Sequence, residues 1–451
     1  MEPGETATVN RPVLRPRPTL AEGWAAIERL IRHLGWLGFF VCMSPLGPRD
    51  YGLVALALAG IAMLESLLVE LAVGALLALE RVEEAHLSTA FLANTGAGAV
   101  VSLVLYALGG EISVMFDEPG LGDVFQTLAL LPVLSALTAV PVALLNSTRS
   151  AAPLASSALI GVATGGAVGM TLAGVGGGAW SLVAQIVTQR FIEIAVLWGS
   201  AGRLFALRWS WRHLEEIAHA VTPATLGPVC ATIARQMPRF LIGLILGPIA
   251  AGLYLPGARV AEAIAEVCAA PARAAGAAWL GKGGAGPAMP ALLRWAALRA
   301  GAATIVAMVA SAFLLEPVMA AWLDPRWWGA VRPAQILVLA VGPAALQQVR
   351  RLALLGANRQ QAEGLWLAAQ TATSMLAVAA AVSYGLEAVA GAELIQASAV
   401  AALGLWPVAA LIGTRPPLAR AGLLSARLAP LFRTAALVGF AVLACGLLLL
   451  V

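Results

Sequence analysis

The sequence predicts an all-α, polytopic membrane protein: two six-helix lobes in parallel repeat around a central cavity, plus about one extra C-terminal helix. Composition is the first observation behind this fold class. Of the 451 residues, 60% are hydrophobic and only 12% are charged. The chain therefore cannot cover itself with a polar surface, and its main solvent must be lipid. The apolar stretches are continuous rather than alternating, which favours helices over a membrane β-barrel.

Apolar runs of roughly 20 residues, the length that a bilayer-spanning helix needs, are the second observation. We predict thirteen spans, at about 24–44, 52–78, 87–110, 123–146, 153–175, 179–199, 217–247, 253–280, 292–315, 334–356, 360–383, 390–413 and 434–451. The predicted domains are a cytoplasmic N-terminal tail (1–23), an N-lobe of six spans (24–200), a cytoplasmic inter-lobe linker (201–216), a C-lobe of six spans (217–413), and a basic cytoplasmic loop with a C-terminal span (414–451).

The distribution of basic residues predicts the orientation. With a cytoplasmic N-terminus, most loop arginines fall on the cytoplasmic side, and only Arg49, Arg326 and Arg332 fall outside. The positive-inside rule therefore favours a multi-pass protein of the inner membrane with an external C-terminus. Residues 1–23 are polar and proline-rich, so we do not expect a cleaved signal peptide.

A short repeat is the third observation. "LGPRDYGL" begins at Leu46 and "LGPIAAGL" begins at Leu246, and weaker echoes follow in the same order, "LLNSTR" at 144–149 with "LLGANR" at 354–359 and "VMFDEP" at 114–119 with "VMAAWLDP" at 318–325. Six spans separate the copies, an even number, so both copies have the same orientation. Parallel repeats of this kind generally enclose a cavity at the bilayer midplane. Chance similarity in a chain rich in glycine, proline and leucine is the alternative.

Four segments carry a family resemblance: "LGPRDYGLVALA", "EEAHLSTAFLAN", "GVGGGAWSLVAQ" and "LILGPIAAGLYLPGAR". In their order and spacing, from about Trp24 to Gly413, they resemble the polysaccharide-transporter branch of the multidrug/oligosaccharidyl-lipid/polysaccharide exporter superfamily. The resemblance implies a flippase that moves a polyprenyl-pyrophosphate-linked oligosaccharide across the inner membrane by alternating access, for exopolysaccharide or O-antigen (lipopolysaccharide) synthesis. The implied partners are the lipid-linked oligosaccharide, membrane lipids, and a polysaccharide polymerase with its chain-length machinery, but no nucleic acid and no cofactor.

This chain departs from the family pattern in two ways. Many relatives have fourteen spans, whereas we predict thirteen here. Many also carry an acidic residue in the seventh helix, where this chain has Pro238 within "ARQMPRFLIG". The second departure weakens any account of ion coupling taken from the family.

Charged side chains inside the predicted spans are the candidate site, because each costs about 2.5–3.5 kcal/mol to insert and needs a polar cavity or a partner. The predicted substrate-binding residues are arginines in the first, seventh and eighth spans: Arg29, Arg32, Arg235, Arg239 and Arg259. Guanidinium groups stay charged and offer planar, bidentate donors to a pyrophosphate. Arg235 and Arg239 lie one helical turn apart without an acidic neighbour in their own helix, so this pair is the strongest candidate.

Several alternatives remain open for these residues. Arg29 and Arg32 could lie at the cytoplasmic interface and extend to the headgroups. Arg259 and Glu262 could form an internal ion pair that only fixes helix packing. Arg149 and Arg359 are expected to be cytoplasmic anchors.

Carboxylates in the same spans are candidates for ion coupling. Glu65 lies in the second span, and Glu262 and Glu266 share one face of the eighth with Arg259. Poorly solvated carboxylates that face a cavity bind protons or cations, so these three residues are predicted to be coupling sites. Gln185, Gln189 and Glu193 form a polar stripe in the sixth span.

Two other functions are weighed against the flippase. A membrane glycosyltransferase or polymerase would need acidic or histidine-bearing residues in sizeable external loops, and neither a metal-ligand cluster nor a nucleophile–base pair is evident. We therefore predict no enzyme activity and no catalytic, metal or cofactor site. A multidrug exporter of the same superfamily would favour an acidic or aromatic cavity for organic cations.

Trp327 and Trp328 are expected in the external aromatic belt.

Overall fold

The structure is a computed structural model that describes residues 31–33, 35–79, 81–147, 151–202, 206–221, 223–280, 289–356 and 359–413. Every regular element in these ranges is a helix, which confirms the all-α class. Nine helices of the described part are long and apolar enough to cross a membrane, as expected for a polytopic protein. The predicted span at 434–451 lies outside the described residues.

The first half of the chain contains α1 (Ile31–Cys42), α2 (Pro48–Ala78), α3 (Glu84–Met115), α4 (Pro119–Leu128), α5 (Leu131–Ala136), α6 (Ala139–Ser147), α7 (Ala151–Gly174) and α8 (Ala179–Ala201). The connection between the halves contains α9 (Trp211–His219), and the second half contains α10 (Pro223–Leu246), α11 (Pro248–Leu280), α12 (Met289–Val309), α13 (Leu315–Trp322), α14 (Val331–Leu339), α15 (Val341–Gly356), α16 (Gln360–Ala381) and α17 (Leu386–Gly413). A π turn links α12 to α13, and a 3-10 turn precedes α14.

One predicted span differs from the structure at its start. The span expected at 217–247 is divided into α9 and α10, because α9 ends at His219 and a new helix begins at Pro223. Proline lacks a backbone N–H and cannot continue a helix, but it suits the first helical position. The short helix α9 therefore belongs to the connection between the halves and not to the seventh span.

The fourth span of each half is broken into three pieces. Gly120–Ser147 consists of α4, α5 and α6, and Pro325–Leu355 consists of the 3-10 turn, α14 and α15. A proline is the second or third residue of most pieces: Pro132, Pro141, Pro333 and Pro343. Each proline removes one helical hydrogen bond at the break. The matching interruption supports the repeat predicted from the sequence.

The described residues divide into two compact units. Unit 1 lies within Met1–Arg32 and Ala57–Gln236, and unit 2 lies within His33–Leu56 and Met237–Val451. The unit boundaries therefore fall inside α1, α2 and α10, which each contribute residues to both units.

Unit 1 is held together in part by a glycine face on α7. Gly161, Gly165 and Gly169 are spaced four residues apart and pack on α8. A Cβ atom at Gly165 would lie 2.6 Å from the carbonyl oxygen of Gln185, so no larger residue fits without separating the helices. Small residues at this spacing allow close approach of membrane helices.

Unit 2 contains a reciprocal glycine contact between the two copies of the repeat. A Cβ at Gly52 of α2 would collide with the carbonyl oxygen of Pro248, and a Cβ at Gly252 of α11 would collide with that of Pro48. Each glycine thus lies against the first residue of the other helix. The repeated motif therefore encodes a helix crossing as well as a turn.

The expectation for Trp327 was wrong. Its side chain is fully buried in unit 2, where Nε1 donates to the carbonyl oxygen of Ser44 at 3.0 Å. The ring packs edge-on against Phe40 and Tyr51. Burial with a satisfied N–H makes it a core residue, whereas its neighbour Trp328 is exposed.

Candidate functional site

Glu193 of α8 is the centre of a polar cluster in unit 1. Its buried carboxylate accepts hydrogen bonds from Arg32 Nη1 at 2.8 Å and from Arg190 Nη1 at 3.2 Å. Gln189 Nε2, one turn earlier on α8, donates to it at 3.0 Å. Two guanidinium groups therefore share one buried carboxylate inside the helical bundle.

Glu65 of α2 belongs to the same cluster. Its Oε1 atom lies 3.8 Å from Arg190 Nη2 and accepts a hydrogen bond from Ser135 of α5. We call Arg32, Arg190, Glu193 and Glu65 the unit 1 cluster. It contains two positive and two negative groups, drawn from α1, α2 and α8.

The glycine face of α7 positions this cluster. A Cβ atom at Gly161 would lie 2.9 Å from Glu193 Cγ, and one at Gly165 would lie 2.9 Å from Gln189 Cβ. Because the glycines of α7 have no side chain, α8 packs directly against the α7 backbone. This close packing restricts the side chain of Glu193 to one position. Packing that fixes a rotamer in this way preorganises a site.

Unit 2 contains a second arrangement of the same kind. Arg239 of α10 is buried and donates from Nη2 to Glu262 Oε1 at 2.5 Å. Arg259 of α11 donates to the other oxygen of Glu262 at 3.3 Å. The Arg259 guanidinium also lies over the ring of Trp36, 5.4 Å from its centroid. Again two arginines share one glutamate.

A buried tyrosine and a further carboxylate extend the unit 2 arrangement. Tyr254 Oη donates to Glu393 Oε1 at 2.7 Å, which joins α11 to α17. Glu393 is near enough to Arg239 and Glu262 to interact with them electrostatically. We call Arg239, Arg259, Glu262 and Glu393 the unit 2 cluster, which also carries two charges of each sign.

The remaining predicted residues have other surroundings. Arg235 is exposed, and its Nη2 donates to Thr232 Oγ1 at 2.9 Å, whereas Arg239 is turned towards Glu262. Glu266 is half-buried on α11, one turn beyond Glu262. Arg29 lies outside the described residues.

Several polar residues of these helices were missed by the sequence reasoning. Arg190 and Glu393 enter the clusters, and Arg350 forms a buried ion pair with Glu363 at 3.0 Å. The Arg350 guanidinium lies over Trp366, 4.9 Å from the ring centroid. All of these charged residues fall inside predicted spans. A charged side chain is costly in free energy at membrane depth, so their position alone could have identified them as candidates.

A histidine cluster lies where α9 meets the start of α3 in unit 1. The possible metal-ligand atoms of Glu83, His86 and His213 lie within 4.8 Å of one another. His86 Nδ1 accepts the backbone N–H of Glu83 at 3.2 Å, and its Nε2 lies 2.8 Å from Glu216 Oε2. These hydrogen bonds occupy both ring nitrogens of His86, so the cluster as it stands ties α9 to α3.

Glu216 of α9 lies beside this cluster and accepts hydrogen bonds from two side chains. Hydrogen bonds from His86 and from Arg212, whose Nε lies 2.9 Å from Oε1, hold the pKa of Glu216 below its ordinary value. Donors that bond to the ionised form favour that form.

Comparison with a family model gives a match over half of the chain. The family described as "Polysaccharide biosynthesis protein" matches residues 46–275. A comparison with curated protein sequences finds no match. The matched region contains α2 to α10 and most of α11, and so includes the glutamates at the centres of both clusters.

Solved structures of similar fold are transporters. The lipid II flippase MurJ, in an inward closed conformation, superposes with a TM-score of 0.66 at 12% identity, over 95% of this chain and 97% of that one. An inward-facing multidrug resistance MATE family transporter of the MOP superfamily gives 0.61 at 14% identity, over 87% of this chain and 100% of that one. A MOP superfamily transporter from Pyrococcus furiosus gives 0.54 at 14% identity, over 88% and 97%. At these identities the similarity establishes the fold alone.

Proposed function

Because the chain belongs to the polysaccharide biosynthesis protein family, we propose that it is a flippase for a polyprenyl-pyrophosphate-linked oligosaccharide. In this proposal the protein moves the substrate across the inner membrane by alternating access, for exopolysaccharide or O-antigen synthesis. A polysaccharide polymerase and its chain-length machinery would then use the flipped substrate on the external side.

The observation that carries the proposal is the pairing of arginines at membrane depth. Each unit has two guanidinium groups gathered on one glutamate, Glu193 in unit 1 and Glu262 in unit 2. Charged groups inside spans are costly and are retained chiefly for function. Two adjacent guanidiniums match the charge and the geometry of a pyrophosphate, which accepts several bidentate hydrogen bonds.

The candidate arginines differ in the exposed fraction of their side chains. The side chains of Arg32 and Arg259 are 40% and 32% exposed, and Arg235 is also exposed. Arg239 is 3% exposed. We assign direct contact with the phosphates to Arg32, Arg235 and Arg259, and a supporting role through Glu262 to Arg239. Arg29 stays in the proposed set from its position in the sequence.

Carboxylates of the clusters are proposed to couple transport to an ion. Glu262 contacts Arg239 of the proposed site, Glu65 contacts Arg190 of the unit 1 cluster, and Glu266 follows Glu262 by one turn of α11. An ion that binds these carboxylates changes the charge offered to the phosphates. Ion binding and substrate binding would therefore be linked.

Flipping of a fluorescent polyprenyl-pyrophosphate sugar in proteoliposomes tests the proposal. Arg32→Ala, Arg259→Ala and the double variant Arg235→Ala/Arg239→Ala should each slow flipping. A lost charge-assisted hydrogen bond costs about 1.5–3 kcal/mol, so binding should weaken by roughly ten- to a hundredfold. The Arg→Lys variants should recover only part of the loss, because an ammonium group keeps the charge without the planar fork.

Arg332→Ala is the matched control, because the Arg332 side chain is 61% exposed and belongs to neither cluster. It should flip at the wild-type rate. If Arg32→Ala, Arg259→Ala and the double variant all flip the substrate at the wild-type rate, the assignment of these arginines to the substrate is refuted. Export of organic cations in place of the lipid-linked sugar would instead support a multidrug transporter.

A further inference from the structure

The unit 1 cluster is balanced in charge before any substrate binds. Arg32 and Arg190 face Glu193 and Glu65, with distances of 2.8 to 3.8 Å between the charged atoms. A pyrophosphate diester brings two further negative charges. Adding them to a balanced cluster in a poorly solvated place leaves excess negative charge, which is strongly unfavourable.

We propose that Glu193 is a proton-coupled counter-ion: it holds Arg32 and Arg190 while the site is empty, and takes up a proton when a pyrophosphate takes over their guanidiniums. This inference rests on the proposed function and adds to it the coupling ion, a proton, and the residue that carries it. It also adds Arg190 to the substrate-binding residues. The step is a protonation only: for each pyrophosphate bound, one proton from hydronium or the buffer acid forms an O–H bond on a Glu193 oxygen.

The exposure of the three side chains supports this order of events. The Arg32 and Arg190 side chains are 40% and 29% exposed, whereas that of Glu193 is 4% exposed. An anion can therefore approach the guanidiniums from their open side while Glu193 stays buried behind them. A buried carboxylate that loses its cationic partners is stabilised by protonation.

Among the residues that the structure describes, only Arg32 and Arg190 form ion pairs with Glu193. On α8 it faces Arg190 and the neutral amide of Gln189, and α1 supplies Arg32. The other charge of the cluster, Glu65 of α2, is negative. Of the other helices packed on α8, α5, α6 and α7 have no ionisable side chain, and α4 has only the exposed Asp123. Release of both arginines therefore leaves Glu193 with the neutral amide as its neighbour, which favours the acid form.

Glu262 of unit 2 does not share this arrangement. Its side chain is 21% exposed and that of Arg239 is 4% exposed, so here a carboxylate is more accessible than one of its arginines. The order of events proposed for Glu193 therefore does not apply to Glu262, because Arg239 is more enclosed than the carboxylate it pairs with. The matched control for Glu193→Gln is Asp123→Asn, because Asp123 is an exposed carboxylate on α4, which packs on α8, and belongs to neither cluster.

Proton uptake on binding gives the direct test. The purified full-length chain in detergent, weakly buffered and with a pH-indicator dye, is titrated with a polyprenyl-pyrophosphate sugar between pH 6 and pH 8.5. Both phosphates of the probe are esterified, so the probe itself stays ionised in this range. We expect close to one proton taken up per molecule bound. Affinity should then fall by about tenfold per pH unit in the upper part of the range.

Variants of Glu193 identify the side chain that takes up the proton. Glu193→Gln should bind the probe at least as tightly as the wild type, with no proton uptake and with an affinity independent of pH. Glu193→Asp retains a titrating carboxylate and should keep the uptake, and the control Asp123→Asn should behave as the wild type does. Size-exclusion elution at the wild-type volume shows that each variant is folded.

The outcomes separate the two proposals. Binding by the wild type without proton uptake overturns the role of Glu193 and leaves the flippase proposal standing. Proton uptake that persists in Glu193→Gln also overturns it. Failure of the wild type to bind the probe refutes the proposed function and the role of Glu193 together.

Discussion

Arg239 Nη2 and Glu262 Oε1 lie 2.5 Å apart and join α10 to α11 within unit 2. Arg235, one turn earlier on α10, is exposed and donates to Thr232. Two arginines on one helix therefore have opposite surroundings, which makes them a natural pair for comparison.

We expect Arg239→Ala to destabilise the protein far more than Arg235→Ala. Removal of Arg239 leaves Glu262 with one of its two cations, and loss of a partner from a buried ion pair costs about 3–5 kcal/mol. Substitution at an exposed position changes stability by about 0.5 kcal/mol or less. Thermal unfolding of both variants in the same detergent measures the difference. Equal losses would show that the buried pair adds nothing to stability.

Alanine at Gly52 or Gly252 should lower the free energy of unfolding by about 1–3 kcal/mol, because the added methyl group forces α2 and α11 apart. Gly96→Ala is the control, since no atom lies within 4 Å of a Cβ at that position of α3. That control should leave stability unchanged or raise it slightly, because alanine favours the helix over glycine. Comparable melting temperatures for all three variants would contradict the close crossing.

The hydrogen bonds from His86 and Arg212 to Glu216 predict that the free energy of unfolding contains a contribution that depends on pH. Since these bonds lower the pKa of Glu216 from its ordinary value of 4.5, ionised Glu216 stabilises the fold above that pH. The contribution is lost as the pH falls through the lower pKa of the folded state. The difference in unfolding midpoint between the wild type and Glu216→Gln should therefore be present at pH 7 and shrink below about pH 4.5. A difference that does not vary with pH would assign the effect to packing.

The predicted orientation places the segment before α9 in the cytoplasm and the turn between α16 and α17 outside. Leu207 and Tyr384 are suitable probes because they are 62% and 81% exposed. Single cysteines at these positions, in a chain whose four native cysteines are replaced by serine, should label differently in intact cells. A membrane-impermeant maleimide should reach Tyr384→Cys but not Leu207→Cys. The reverse pattern would invert the topology.

Much of the fold could be predicted because it depends on local composition. Continuous apolar runs predicted an all-α membrane protein, and the LGPxxxGL repeat predicted two halves, but neither indicated that α2 crosses α11 at the repeated motif. The resemblance to the polysaccharide-transporter branch is confirmed by the family match. Helix breaks were less visible, because the prolines that divide Gly120–Ser147 lie inside an otherwise uninterrupted apolar run.

The clusters were predictable only where their members share a helix. Spacing placed Arg259 and Glu262 on one face, and they do form an ion pair. Nothing in the sequence joins Arg32 to Glu193, which are 161 residues apart, or Tyr254 to Glu393. Such pairs depend on which helix faces which, and that is set by tertiary packing. The prediction for Trp327 was wrong for the same reason, because its partner Ser44 lies 283 residues away in the sequence.

The crossing of α2 and α11 has a consequence for the history of the protein. Gly52 of α2 contacts the start of α11, and Gly252 of α11 contacts the start of α2 in the same way. Such a reciprocal contact is called isologous and is normally found between identical subunits related by a two-fold axis. A chain with a single copy of the motif could form this contact with a second molecule of itself. The crossing is thus what a homodimer would leave behind after duplication and fusion of its gene.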